Sequence, residues 1–185
     1  MSQLIVTEFV TLDGVMQAPG GEPGHPYSGW VFDYMSEAQQ RYKLRETLDA
    51  ESLLLGRKTY DGFSAAWPER DGEFADKMNA MPKYVVSSSL TDPTWENTTV
   101  IALEDVAALK SRSSGPILVA GSGTLVHALL EAGLVDELRL MIFPVLLGSG
   151  LRVFPESPTK RPLSLVHTEA FPTGVVVHHY TPAGA

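Results

Sequence analysis

At 185 residues the chain fits one domain, and its 44% hydrophobic and 19% charged residues lie far from the composition of a disordered segment. Lys and Arg number 14 against 22 Asp and Glu, a net charge of -8 that argues against a long phosphate backbone or an anionic membrane as partner. The absence of cysteine excludes disulfides, thiolate nucleophiles and Cys-based zinc sites. Because Thr7, Glu8, Thr11 and Asp13 interrupt the N-terminal apolar run before a signal core can form, a cytoplasmic protein is expected.

Leu4 to Leu12 reads as a buried first strand that ends in the turn Asp13-Gly14. The stretch 18–26 is broken throughout by Pro and Gly and is read as a loop. A helix is predicted over Ser36 to Ala50, with Ser36 as its N-cap. Ser52 to Leu55 is a short strand closed by Gly56, and Lys58 to Phe63 starts a helix directly after it. Helix Phe74 to Met81, strand Lys83 to Ser87, strand Thr98 to Ala102 and helix Glu104 to Ser111 follow. Ile117 to Ala120 is an apolar strand that opens through Gly121-Ser122-Gly123-Thr124 into a helix over Leu125 to Ala132. Glu137 to Val145 is read as one long strand, and Leu163 to Ala170 with Val175 to Tyr180 as a hairpin about the turn 171–174. Strand-then-helix alternation implies a mainly parallel sheet with right-handed crossovers, and the C-terminal hairpin makes it mixed. The whole of 1–185 is read as one domain, without repeats or linkers.

Three strand ends carry residues suited to phosphate. Gly56-Arg57-Lys58-Thr59 puts a glycine, two cations and a hydroxyl at a strand-to-helix turn, where free N–H groups and the helix dipole favour an anion. Ser87-Ser88-Ser89 offers hydroxyls, although serines in a turn also serve as simple turn formers. Gly121-Ser122-Gly123-Thr124 lets backbone approach a pyrophosphate closely. It lacks the third glycine of the Rossmann fingerprint, where Val126 stands, and the outer glycines of a nucleophile elbow. Adjacent His178 and His179 point to opposite faces of a strand, and His127 with Glu131 lacks a third ligand, so no metal site is expected.

Taken in order, Thr11-Leu12-Asp13-Gly14, 55–60, 84–89, 119–125 and 144–150 resemble the dihydrofolate reductase-like superfamily. They are most similar to the C-terminal reductase domain of bifunctional riboflavin-biosynthesis deaminase/reductase enzymes. The resemblance implies a three-layer α/β fold, with a mixed, mainly parallel central sheet flanked by helices and an antiparallel C-terminal hairpin. It implies NADPH held across the C-terminal strand ends. Arg57, Lys58 and Thr59 with Gly56 would face the adenosine-side phosphates, Ser87 and Ser88 the ribose 2′-phosphate, and Gly121, Ser122, Gly123, Thr124 and Leu125 the pyrophosphate. For catalysis the resemblance favours Asp13 over Asp33, which follows Trp30-Val31-Phe32 without the proline that folate reductases carry. Asp13 reads equally as a turn residue. Trp30, Phe32 and Asp33 are expected at the substrate.

The function expected is hydride transfer from NADPH to a small heterocycle, pterin-like or a 5-amino-6-ribosylamino-pyrimidine. The alternative is a sensor that keeps the cofactor site without chemistry. With no H-x-E zinc motif, the resemblance covers the reductase part alone, and a riboflavin role would need a separate deaminase. Leu138 to Leu147 carries more apolar surface than an edge normally leaves bare, so a homodimer through the C-terminal strands is expected.

Overall fold

A computed structural model describes residues 2–154, 156–157 and 159–184. Its eight strands form one sheet in the order β4-β3-β2-β5-β1-β6-β8-β7. They are β1 (Leu4–Thr11), β2 (Ser52–Gly56), β3 (Lys83–Val86), β4 (Thr98–Ile101), β5 (Ile117–Ala120), β6 (Glu137–Phe143), β7 (Leu163–Ala170) and β8 (Val176–Pro182). β1 to β6 run parallel, and β8 and β7 close the sheet antiparallel. The helices are α1 (Glu37–Asp49), α2 (Arg57–Ala66), α3 (Glu73–Ala80), α4 (Val106–Arg112) and α5 (Gly123–Glu131).

Alternation along the strands assigns the layers. Even-numbered Leu4, Val6 and Leu54, with Ile117, Val119 and Leu138, pack under α4 and α5. Ile5, Leu53, Leu55, Val85 and Leu118 face the other way, against α2 and α3. Farther along that same face, Met141, Phe143 and Val177 bury Tyr42 of α1 together with Trp30 and Val31. This is a three-layer dihydrofolate-reductase-like fold. Ser36 caps α1 by accepting the Gln39 N–H at 3.3 Å. Lys83, wholly buried, closes α3 by donating to the carbonyls of Met78, Asn79 and Met81 at 2.7–3.0 Å, and its ammonium lies over the Trp95 ring.

Two sequence expectations need correction. The long strand stops at Phe143, because Pro144 cannot donate to a ladder and the Val145 N–H turns back to the Phe143 carbonyl. Nor is that strand an edge: β6 lies between β1 and β8, so its apolar residues are covered within the sheet. The exposed edge is β7, where Leu163, Leu165 and Val166 are 41–57% exposed.

Between α1 and the sheet runs a buried polar chain. Thr7 donates to Glu46 at 2.9 Å, and Lys43 donates to Thr7 at 2.8 Å and also to Glu46. Arg139 spans Glu46 and Glu137, and His179 Nδ1 lies 2.9 Å from the same Glu137 carboxylate. The His179 hydrogen bond, helped by Arg139, pulls the Glu137 carboxyl down to about 2. A depressed carboxyl contributes stability above its unfolded value and loses it on protonation, so the loss falls between pH 4.5 and about 2. Chemical denaturation across that window should show a fall of about 1–3 kcal/mol from this group. Glu137→Gln, less stable at neutral pH, should have a correspondingly flatter acid limb.

Candidate functional site

All five strands on the α2 side of the sheet, β4 to β1, end on one edge. Gly56 pairs with Val86, which puts Ser87 one residue beyond it, and Leu54 pairs with Val119, which brings Gly56 level with Gly121. The two turns interlock. The Gly56 N–H donates to the Ser122 hydroxyl at 2.7 Å, and a Cβ on Gly56 would meet that side chain at 3.1 Å. A Cβ on Gly121 would lie 3.1 Å from Thr59, whose side chain covers the turn. Gly121 and Ser122 are both left-handed, with φ of 62° and 65°, a conformation that costs Ser122 strain and turns the following N–H groups outward.

Neither α2 nor α5 has a side-chain cap at its start, so the free N–H groups and positive dipole ends of both helices meet at this edge. Arg57 uses Nε to hold both oxygens of Asp61, at 2.8 and 3.0 Å. That pair is exposed and weak, and its two terminal amino groups stay available to an anion. Lys58 and Thr124 are exposed beside it. Ser88 is exposed as well, while Ser87 accepts the N–H groups of Ser89 and Leu90 and shapes its own turn. Leu125 differs from its neighbours, because its side chain belongs to the core under α5 and it can offer a ligand backbone only.

Trp30, Phe32 and Asp33 come together at a cleft of about 480 Å³, with Tyr27 and the 145–147 segment as its other wall. Trp30 is an anchor more than a surface: it is 5% exposed, donates to the Gln17 carbonyl at 2.9 Å and packs edge-on to Phe143. Phe32 is 60% exposed and open to a ligand. Asp33 is the one carboxyl on the cleft and is exposed.

Asp13 holds the cleft wall from behind. It accepts from the Thr11 hydroxyl at 2.5 Å, the Gly148 N–H at 2.7 Å and the Leu147 N–H at 3.3 Å. The Thr11 bond above all, with the two N–H groups, holds its carboxyl below the usual carboxylate range. A carboxylate so held ties two turns together and has no proton to give near neutrality. The loop 14–29 is fixed to the same wall by Met16 N–H to the Leu151 carbonyl, Val153 N–H to the Gly14 carbonyl and Leu151 N–H to Gln17.

Sequence reasoning passed over Glu8. It is 4% exposed, stands level with Gly121 across the β1–β5 register, and has Oε1 buried without a partner. Burial pushes it well above the ordinary carboxylate value, against the opposing pull of Lys43. A charge inside the otherwise apolar run Leu4 to Val10 was the available signal. Among the described residues no group of three His, Asp or Glu side chains could hold a metal, and no helix is long and apolar enough to cross a membrane.

Comparison with known proteins agrees with this architecture. The uncharacterized protein YyaP of Bacillus subtilis is 28% identical over 193 residues, covering 96% of this chain and 95% of its own. Among solved structures, a candidate riboflavin biosynthesis protein of Shewanella sp. PV-4 superposes with a TM-score of 0.76 at 20% identity, covering 97% of this chain and 98% of that one. Enterococcus faecalis dihydrofolate reductase, in complex with NADP(H), superposes with a TM-score of 0.65 at 18% identity, covering 98% and 96%. At those identities the likeness is one of fold. The RibD C-terminal domain family matches residues 2–177, almost the whole chain, and this protein belongs to that family.

Proposed function

We propose that the protein is an NADPH-dependent reductase of a small heterocycle, either pterin-like or of the 5-amino-6-ribosylamino-pyrimidine type. One observation carries the reading: two uncapped helix N-termini are locked side by side through Gly56, Thr59, Gly121 and Ser122, with Arg57 and Lys58 at their rim. Such an edge suits a diphosphate, and at short range these groups outweigh a screened net charge of -8. Ser87 and Ser88, one strand over, would receive the 2′-phosphate. The bound cofactor would supply the hydride. The chain's own part is to fix the phosphates, seat the acceptor ring and keep water away.

The cleft between Phe32 and Leu146 has apolar walls and a single carboxylate, Asp33, which fits a flat heterocycle bearing amino groups. The bifunctional family's riboflavin chemistry and the NADP(H) complex of the Enterococcus enzyme both favour this reading. The sensor alternative draws on one feature: Asp13 is occupied as an anchor behind the cleft wall and does not line the cleft itself.

Fluorescence titration with NADPH and NADH in parallel tests the cofactor. NADPH should bind the more tightly, and Arg57→Ala should weaken it about 10–100-fold, the loss of a charge-assisted phosphate contact. Equal affinity for both cofactors would remove the assignment of Ser87 and Ser88. Tight binding without oxidation by any dihydropterin or pyrimidine acceptor would favour the sensor.

Asp13 is proposed to serve turnover by holding the cleft wall. Asp13→Asn should cost about 1–2 kcal/mol, lowering the melting temperature by about 2–8 °C. A loss of turnover with unchanged melting would instead make Asp13 a direct participant.

A homodimer is proposed at β7, whose faces carry Leu163, Leu165 and Val166 in the open. A bulge between Leu165 and His167 disrupts the ladder, so face-to-face packing is expected over edge pairing. Sedimentation should give twice the 20.1 kDa chain mass, and Leu165→Glu should halve it.

A further inference from the structure

β1 pairs with β5 only as far as Thr7 opposite Ala120, while it continues along β6 to Thr11. The two central strands therefore part at Glu8, the first residue of β1 beyond the fork. Glu8 is 4% exposed and, one residue beyond the Thr7–Ala120 pair, stands level with Gly121 at the turn that opens α5. Its Oε1 is buried without a hydrogen-bond partner. Such a group is badly placed to be an anion: burial without compensating donors favours the neutral acid, whose carbonyl oxygen still accepts an N–H.

The surrounding charges are accounted for. Lys43 and Glu46 of α1 act on Glu8 with opposite signs from the other face of the sheet, where Glu46 is already bound by Thr7, Lys43 and Arg139 of β6. From α5 comes the positive end of the helix dipole. The ionisable residues of that helix are turned elsewhere, His127 to the Arg152 carbonyl at 3.0 Å and Glu131 to Arg161 at 2.9 Å. Arg152 is engaged by the Asp13 carbonyl, and Met16 and Leu151 seal Gly123 with apolar atoms.

We propose that Glu8, as a neutral carboxylic acid, is a positioning residue for the cofactor turn. It holds the Gly121 N–H through its carbonyl oxygen, and its ionisation sets the alkaline limit of cofactor binding. The inference rests on the proposed NADPH site at Gly121 to Leu125. An ionised Glu8 would put a negative charge directly under that anion site and would compete for its dipole. Binding therefore selects the protonated form, and cofactor and proton are taken up together. The sign follows: affinity is constant while Glu8 stays protonated and falls as pH rises through its midpoint.

The test is NADPH affinity of the whole protein from about pH 7 upward, above the second ionisation of the cofactor's own phosphate. The wild type should lose affinity by a limit of about tenfold per pH unit above the midpoint. Glu8→Gln keeps a carbonyl acceptor and cannot ionise, so its affinity should lose that slope. Any residual fall shared by both proteins belongs to Lys58 or other cations of the rim. Calorimetry of the wild type in two buffers of different ionisation heat gives the same answer without a variant: proton uptake should grow toward one per site as the midpoint is passed. Identical alkaline slopes in the two proteins, or binding with no proton uptake at any pH, would overturn the role of Glu8 and leave the cofactor reading standing. No NADPH binding by the wild type at any pH would remove the cofactor reading and this inference with it.

Discussion

The hydrogen bond from the Gly56 N–H to the Ser122 hydroxyl joins the two strand-to-helix turns on which the candidate site is built. It spans β2 and β5, which are neighbours in space and 66 residues apart in sequence. Its acceptor belongs to a residue in the left-handed region, where a side chain is strained. That strain is offset by what the conformation secures: α5 begins with its N–H groups uncapped and level with those of α2. Gly121 takes a φ of 62°, which favours glycine, and a Cβ there would also press on the Thr59 side chain at 3.1 Å.

A second set of contacts fixes the other half of the sheet. α1 is held to β1, β6 and β8 by the chain from Lys43 through Glu46, Arg139 and Glu137 to His179, with the Tyr42 hydroxyl 2.7 Å from the far side of that imidazole. Buried ion pairs add little net stability over apolar packing, but they fail badly when one partner is removed, and so they specify register. Here they specify how the antiparallel strand β8 is seated against α1. The aromatic cluster of Trp30, Phe143 and Tyr42 then extends that seat to the cleft lined by Phe32 and Asp33.

Much of this was legible in the residues. Every strand and helix read from periodicity and from Gly and Pro punctuation is present, with ends displaced by at most three residues, because apolar runs mark an element's middle and capping geometry decides its ends. That Gly56, Arg57, Thr59 and Gly121 to Thr124 stand at strand-to-helix turns was legible, since glycine and hydroxyl punctuation at a strand end is local. The interlock of Gly56 with Ser122 was not, because it depends on which strands are neighbours. The place of β6 was misjudged for the same reason. An apolar strand is the same string whether it lies at an edge or in the interior, and here the crossover through 144–162 lets β8 cover it. Lys83 reads as a surface cation, and only the fold reveals three carbonyls at the end of α3 waiting for its ammonium.

The two carboxyls of the first strand and its turn show the same limit in chemical form. Glu8, inside the strand, and Asp13, in the turn after it, stand five residues apart. Environment shifts them in opposite directions. Asp13 receives a hydroxyl and two backbone N–H groups at a partly open turn, and each donor stabilises the charge, so it is held ionised as a clamp. Glu8 has a buried oxygen without a partner and almost no water, so desolvation outweighs the attraction of Lys43 and raises its carboxyl well above the usual carboxylate range. The count of donors around each oxygen separates them, and that count is a property of the fork between β1 and β5, where Glu8 is buried and beyond which Asp13 emerges.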